Sequence, residues 1–362
     1  MNLRSLLGAA TLALLIFACD SGSNQQETPA GNSTNNLSRR SYFKALGPPK
    51  GSLYNLGDTV SVMLGKEADA PAVDSVQFFL DGEYLITTTE LDYDWVTINS
   101  TVGPHVMRAL VHYGGNKESV RVTTTLRSNV VPENWKYQVV STYPHDPNAF
   151  TQGLELHDGF LYEGTGQKGL SWLRKVNLTN GEVLQEHKLE EQYFGEGITK
   201  VGDEIIQITW QARVGFVYDA KTFEEKRRFN YPTEGWGLAY TGEELVMSDG
   251  SNKLYFMQPG TFVQGRTLSV YDNNGPVNNL NELEYIDGML YANIWMSNRI
   301  AQIDPATGRL MAYIDLTGIL PNSARTGRED VLNGIAHDPA TNRIFVTGKN
   351  WPKLFEVRWF KS

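Results

Sequence analysis

One phrase, repeated with variations, decides what this chain can fold into. Phe150-Thr151-Gln152-Gly153-Leu154-Glu155 is followed by the turn Asp158-Gly159 and the apolar run Phe160-Leu161-Tyr162. Phe194-Gly195-Glu196-Gly197-Ile198, Gly235-Trp236-Gly237-Leu238, Asn281-Glu282-Leu283-Glu284 and Asn333-Gly334-Ile335-Ala336 restate it, each leading through a polar turn to a second apolar run. With Gly153, Gly197, Gly237, Glu282 and Gly334 as equivalents, the steps are 44, 40, 45 and 52 residues. A period of about 40 to 50 residues, made of short strands and Asp-Gly turns, marks a β-propeller. Five copies predict five blades.

The blades begin near residue 131, after Pro132-Glu133-Asn134, and fill residues 131–362. Residues 135–143 read as a strand with no blade of its own, while the last repeat shows only three strands. The first strand therefore completes the last blade and closes the ring, which removes exposed edges. Turns such as Asp304-Pro305-Ala306-Thr307-Gly308 carry one carboxylate each, far short of a calcium cage, so they read as structural.

Ahead of the blades, residues 39–130 alternate apolar and polar residues in about seven short runs, such as residues 59–64, 76–80 and 106–111, with hairpin turns at Asp81-Gly82 and Gly114-Gly115-Asn116. That pattern predicts an immunoglobulin-like β-sandwich, a spacer or docking module with no catalytic constellation. The expected fold class is thus all-β. His105 and His112 lie seven apart, on opposite faces of one strand, and do not converge on a metal. Residues 19–38 are Ser, Asn, Gln, Thr and Gly with almost no apolar side chains, a flexible tether.

Residues 1–18 read as a signal peptide: Arg4 supplies charge and an apolar run too short to span follows. It ends Ile16-Phe17-Ala18-Cys19, and Cys19 is the only cysteine. That ending resembles a bacterial lipobox, which implies lipidation of Cys19, a membrane lipid anchor, and a place in the bacterial cell envelope. No second cysteine exists to form a disulfide within the chain. The formal net charge of −9 speaks against nucleic acid as a partner.

In a propeller the first strands of the blades ring a central channel, so residues at the repeated phrase converge although they lie far apart in sequence. Phe150, Gln152, Glu196, Trp236, Asn281 and Asn333 stand there, and the second strands add Trp210, Trp295 and Lys349. A single Trp would more simply fill a gap between blades. Three of them beside Glu, Asn and Lys suggest a small apolar pocket with a few placed polar groups. The six histidines form no His-x-His or His-Glu-x-x-His pair, so no metal is expected. His145-Asp146-Pro147 and His337-Asp338-Pro339 read as a repeated turn.

These motifs resemble the plant and bacterial type of glutaminyl-peptide cyclotransferase, a five-bladed propeller. Phe-Thr-Gln-Gly-Leu at 150–154, Tyr-Phe-Gly-Glu-Gly-Ile at 193–198, Glu-Gly-Trp-Gly-Leu at 234–238, Leu-Asn-Glu-Leu-Glu at 280–284 and Leu-Asn-Gly-Ile-Ala at 332–336 occur in the right order. The resemblance covers residues 137–359 and leaves residues 39–130 aside. It implies cyclisation of an amino-terminal glutaminyl residue to pyroglutamate with loss of ammonia, without a cofactor, on peptide or protein substrates, by a monomer. Carried over by motif, Glu196, Asn281 and Lys349 are catalytic, with Lys353 as the other lysine in reach. Phe150, Gln152, Trp210, Trp236, Trp295 and Asn333 shape the substrate site. Two other readings stand beside it: a non-catalytic lipoprotein propeller that grips peptides or glycans, and a propeller lyase or lactonase, which needs convergent carboxylates or His on a metal.

Overall fold

The structure is a computed structural model that describes residues 40–361. The expected signal segment, Cys19 and the tether lie outside the described residues. Among the described residues the chain forms 28 β-strands and one 3-10 turn, Asn322–Ala324, with no α-helix.

Residues 41–127 fold as two sheets around one core. Phe43–Gly47, Thr59–Lys66 and Asp92–Val96 make a three-stranded sheet. Leu53–Asn55, Asn116–Arg127, Gly103–Tyr113, Ser75–Leu80 and Glu83–Thr88 make the other, in that order. Alternation along Thr59–Lys66 turns Val60, Val62 and Leu64 into a core shared with Phe78, Trp95 and Val111. Truncating the fully buried Phe78 to Ala would cost about 3–5 kcal/mol. Asp81 (φ 51) and Gly82 (φ 99) supply the left-handed pair that suits a two-residue hairpin. His105 is buried against Asp81, its Nδ1 2.7 Å from Oδ2, while His112 on the opposite face reaches Gln77.

This region is packed onto the rest of the chain. Val102 N–H donates to the Thr307 carbonyl and Ser128 N–H to the Asp272 carbonyl. Gly103 lies so close to Ser269 that a Cβ there would stand 2.6 Å from the serine Cβ.

Residues 133–361 carry the repeats. The first strands Thr151–His157, Gly195–Val201, Leu238–Tyr240, Leu280–Ile286 and Leu332–Asp338 each open an antiparallel meander. Sheets I, II and III have four strands each; IV and V are fused into one eight-stranded sheet. The joint is Glu133–Pro144, parallel to Leu310–Asp315 at the end of IV and antiparallel to Lys353–Lys361 at the end of V. As the missing fourth strand of the last repeat implied, residues 135–143 pair with the final strand.

Each seam between consecutive sheets holds its own apolar cluster. Leu173 and Tyr162 of I meet Ile198 and Phe216 of II; Ile208 of II meets Leu238 and Met247 of III. Phe256 of III meets Leu290 of IV, and Tyr291 of IV meets Ile335 and Val346 of V. Leu154 and Leu156 of I meet Ala336 and Phe345 of V, so the series of seams returns to its start. Strands buried on both faces read as continuous apolar runs, which is why Glu204–Thr209 and Arg343–Gly348 scarcely alternate.

The repeated phrase has a structural meaning. Register shifts fall between Thr151 and Gly153, Gly195 and Ile198, Leu280 and Leu283, and Leu332 and Ile335. A bulge leaves a residue out of the ladder and re-aims its side chain. The glycines let neighbouring first strands touch backbone to backbone: a Cβ on Gly153 would lie 2.5 Å from Ile198 N, and one on Gly197 2.5 Å from Leu238 N. In the fourth repeat Glu282 replaces glycine. Its buried carboxylate accepts Leu154 N–H at 3.2 Å and Ile335 N–H at 2.9 Å, joining sheets I and V through IV.

The polar turns are occupied by their own chain. Asp304 accepts Ala306 N–H and the Thr307 hydroxyl. Asp146 and Asp338 each accept the N–H two residues on, the same turn in both His-Asp-Pro segments.

Candidate active site

The bulges aim Gln152, Glu196 and Asn281 into one cavity of about 390 Å³. Phe150, Phe194 and Trp236 stand just before first strands; Trp210, Trp295 and Lys349 stand just after second strands. All of these line the cavity, with Asp330. Eight of the nine side chains expected from the sequence are therefore brought together. The ninth, Asn333, is buried behind the wall and does not line it. Its amide donates to the Thr151 carbonyl at 3.0 Å and to Gln152 Oε1 at 3.2 Å, so it holds the strand that presents Gln152. Lys349, not Lys353, faces the cavity; Lys353 sits in the final strand opposite Pro144.

The walls are aromatic and braced by one another. Phe150 meets Phe194 edge-on with ring centres 6.1 Å apart, and Phe194 meets Trp210 at 5.6 Å. Trp236 and Trp295 form a T-shaped pair at 5.6 Å and 89°. Trp295 is 40% exposed and marks the mouth, whereas Glu196 is 4% and Lys349 5% exposed.

Inside that wall the charges are uncomfortable. Burial pushes the Glu196 carboxyl well above the usual carboxylate range; Lys349 draws it down and Glu234 pushes it further up, with no hydrogen bond to relieve it. Burial also holds Lys349 below the ordinary lysine range, against the pull of Glu196 and Asp330. Its ammonium lies 4.9 Å from the centre of the Phe150 ring, a cation over an aromatic face. The side-chain Oδ1 of Asn281 is buried without a hydrogen-bond partner among the described residues.

Lys349 is fixed from below. Its N–H donates to the Val331 carbonyl, its carbonyl accepts Asp330 N–H, and Asn350 N–H reaches Ala149. Beneath lies a buried pair: His145 Nδ1 is 2.6 Å from the Trp351 carbonyl and Nε2 3.1 Å from Glu163, which also accepts the Thr151 hydroxyl. Burial, the largest influence on both, opposes their charges, yet their mutual attraction wins, raising His145 and lowering Glu163. The pair ties the lysine segment to the strand of Gln152. Among the described residues no group of three His, Cys, Asp or Glu side chains is arranged to hold a metal ion.

A family model for glutamine cyclotransferase matches residues 115–359, which takes in every element of this site. The chain belongs to the glutamine cyclotransferase family. The glutaminyl-peptide cyclotransferase of Arabidopsis thaliana is 43% identical over 226 residues, covering 61% of this chain and 70% of that protein. The crystal structure of Myxococcus xanthus glutaminyl cyclase matches with a TM-score of 0.60 and 38% identity, over 64% of this chain and 99% of that one. The family match begins beside the strand Asn116–Arg127, so most of the two-sheet region precedes it.

Three residues of the site were not expected from the sequence. Phe194 and Glu234 belong to the quoted motifs, each three residues before the aligned glycine as Phe150 is, a position that carried a signal. Asp330 lies in the extra length of the last, 52-residue step and occupies no repeated position.

Proposed function

We propose that this family member is a glutaminyl-peptide cyclotransferase, an acyltransferase that converts amino-terminal glutaminyl residues of peptides or proteins to pyroglutamate and releases ammonia. The observation that carries the reading is Glu196: a carboxyl buried in an aromatic cavity, without hydrogen bonds, beside Lys349 and Asn281.

The chemistry follows from those groups. The substrate's α-ammonium must lose a proton before its nitrogen can attack the γ-amide carbon. Glu196, its carboxyl held well above the usual carboxylate range by burial, accepts that proton and returns one to the departing nitrogen. One C–N bond forms, the γ-amide C–N bond breaks, and ammonia leaves. The tetrahedral intermediate carries an oxyanion, for which the Lys349 ammonium and the Asn281 amide are the available stabilisers. The aromatic walls and Gln152 fold the glutaminyl side chain back on its amine, which raises the effective concentration of the two ends. This scheme needs no cofactor and no metal.

The seams that run I to V and back support a five-bladed propeller, and the two packed sheets of residues 41–127 support an immunoglobulin-like sandwich ahead of it. Lipidation at Cys19, anchoring in the bacterial envelope and a monomeric state are part of the proposal. The test is ammonia release from a Gln-initiated dipeptide, with and without a strong chelator. Chelator-insensitive release by the wild type, lost in E196Q while the dipeptide still binds, is the expected result. Wild-type turnover in E196Q would remove the proposed base; binding without release by the wild type would favour a non-catalytic scaffold.

A further inference from the structure

Glu234 touches the back of the cavity wall, and its bonds are unusual. Its Oε2 accepts the indole N–H of Trp210 at 2.7 Å and that of Trp236 at 3.2 Å, while Oε1 accepts the Gln211 amide at 3.3 Å. Trp210 follows the second strand of sheet II, and Trp236 precedes the first strand of sheet III. One carboxylate thus joins wall residues of two different sheets. Each indole is confined on its other side as well. Phe194 abuts Trp210 edge-on, Trp295 abuts Trp236, and Gly250 lies under Trp236 so tightly that a Cβ there would come within 2.6 Å of the ring.

We propose that Glu234 is a positioning residue of the cyclisation site: by clamping the indoles of Trp210 and Trp236 to one acceptor, it fixes the spacing of two walls against which the glutaminyl side chain folds. The proposal rests on the reading above of Glu196 as the base. Charge gives Glu234 a second effect through space. The groups that act on Glu196 are Lys349 from sheet V, which favours its ionised form, and Glu234 from the II–III connection, which disfavours it. The Tyr231 phenol, bonded to the Thr209 backbone, also feels Glu196, and Asp330 acts on Lys349. Glu234 therefore helps keep Glu196 proton-hungry without touching the substrate.

Two variants of the full-length protein separate these roles. E234Q keeps a carbonyl oxygen for the indoles but loses the charge; E234A loses both. In E234A, loss of charge-assisted bonds to both walls is expected to raise KM for a Gln dipeptide by about ten- to hundred-fold, with a red-shifted tryptophan emission. In E234Q, KM stays nearer the wild-type value and the acid limb of kcat/KM moves to lower pH, because Glu196 is relieved of a like charge. An E234A protein with wild-type KM and emission would overturn the clamp. An E234Q protein whose acid limb stays in place would overturn the electrostatic role. Turnover by E196Q would instead remove the base reading, and KM and emission of E234A would still decide the clamp.

Discussion

Replacing Glu282 by Ala tests the idea that one side chain fastens three sheets. Glu282 is 2% exposed and stands where the other four repeats carry glycine, and its carboxyl reaches the first strands of two other sheets at once. Its removal orphans two buried donors, Leu154 N–H and Ile335 N–H, at about 1–3 kcal/mol each. A void is left as well. Against this, the buried carboxyl is itself disfavoured, as its raised pKa shows, and its loss returns part of that penalty. The net expectation is a loss of about 3–5 kcal/mol, or on the order of 10 °C in Tm. Differential scanning calorimetry of full-length wild type, E282A and E282Q measures it. E282Q keeps one acceptor and presents an NH2 to the other donor, so its loss should be intermediate. An E282A Tm within about 2 °C of wild type would refute the bridge.

Glu196 should be a stability liability that depends on pH. Its folded pKa is raised, so the folded chain holds the proton to higher pH than the unfolded one; that contribution is full below about 4.3 and is lost as pH rises through the folded value. E196Q should therefore gain Tm over wild type as pH rises and then level off, and a difference independent of pH would contradict the burial argument. Lys349→Met removes the charge that favours ionised Glu196, so the acid limb of any residual kcat/KM should move to higher pH while kcat falls on the order of 10²- to 10³-fold; a limb that stays put would break the coupling. Gly197→Ala places a Cβ 2.5 Å from Leu238 N, where only backbone could yield. It should cost about 1–3 kcal/mol in denaturant unfolding and displace Glu196, with activity falling further than stability; an unchanged midpoint would show the strands can part.

The period of the glycine phrase was legible because its cause is local: each first strand needs a bulge and a close neighbour at the same point, so the same residues return. Gln152, Glu196 and Asn281 were legible for the same reason, since a bulge residue is re-aimed whatever its side chain. Asn333 shows the limit of that logic. It occupies the repeated position, yet it donates to Thr151 and Gln152 and lies behind the wall. Repetition fixes where a backbone goes, while the direction of a side chain depends on partners that do not repeat. Asp330 falls outside the repeat and enters on the added length before sheet V, whereas Glu234 holds the repeat position of Phe150 and Phe194 but works from behind two tryptophans. Cys19 lies beyond the described residues. The docking of Gly103 on Ser269 left no trace in either local pattern, because it depends on two surfaces brought together only by the finished fold.

The strand Glu133–Pro144 has a consequence in time. Its antiparallel partner is Lys353–Lys361, and the Glu133 carboxylate meets the Lys361 ammonium at 2.8 Å across 228 residues of chain. During synthesis at about 5–20 residues per second, the first strand waits roughly ten to fifty seconds for that partner. Until then sheets I to IV can collapse in order, but sheet V is incomplete and the seam between V and I cannot seal. Contacts of such sequence separation are entropically slow to form. Lys349, which lines the cavity, precedes the strand Lys353–Lys361 by only a few residues, so a nascent chain has no assembled cavity until its final segment is free to fold.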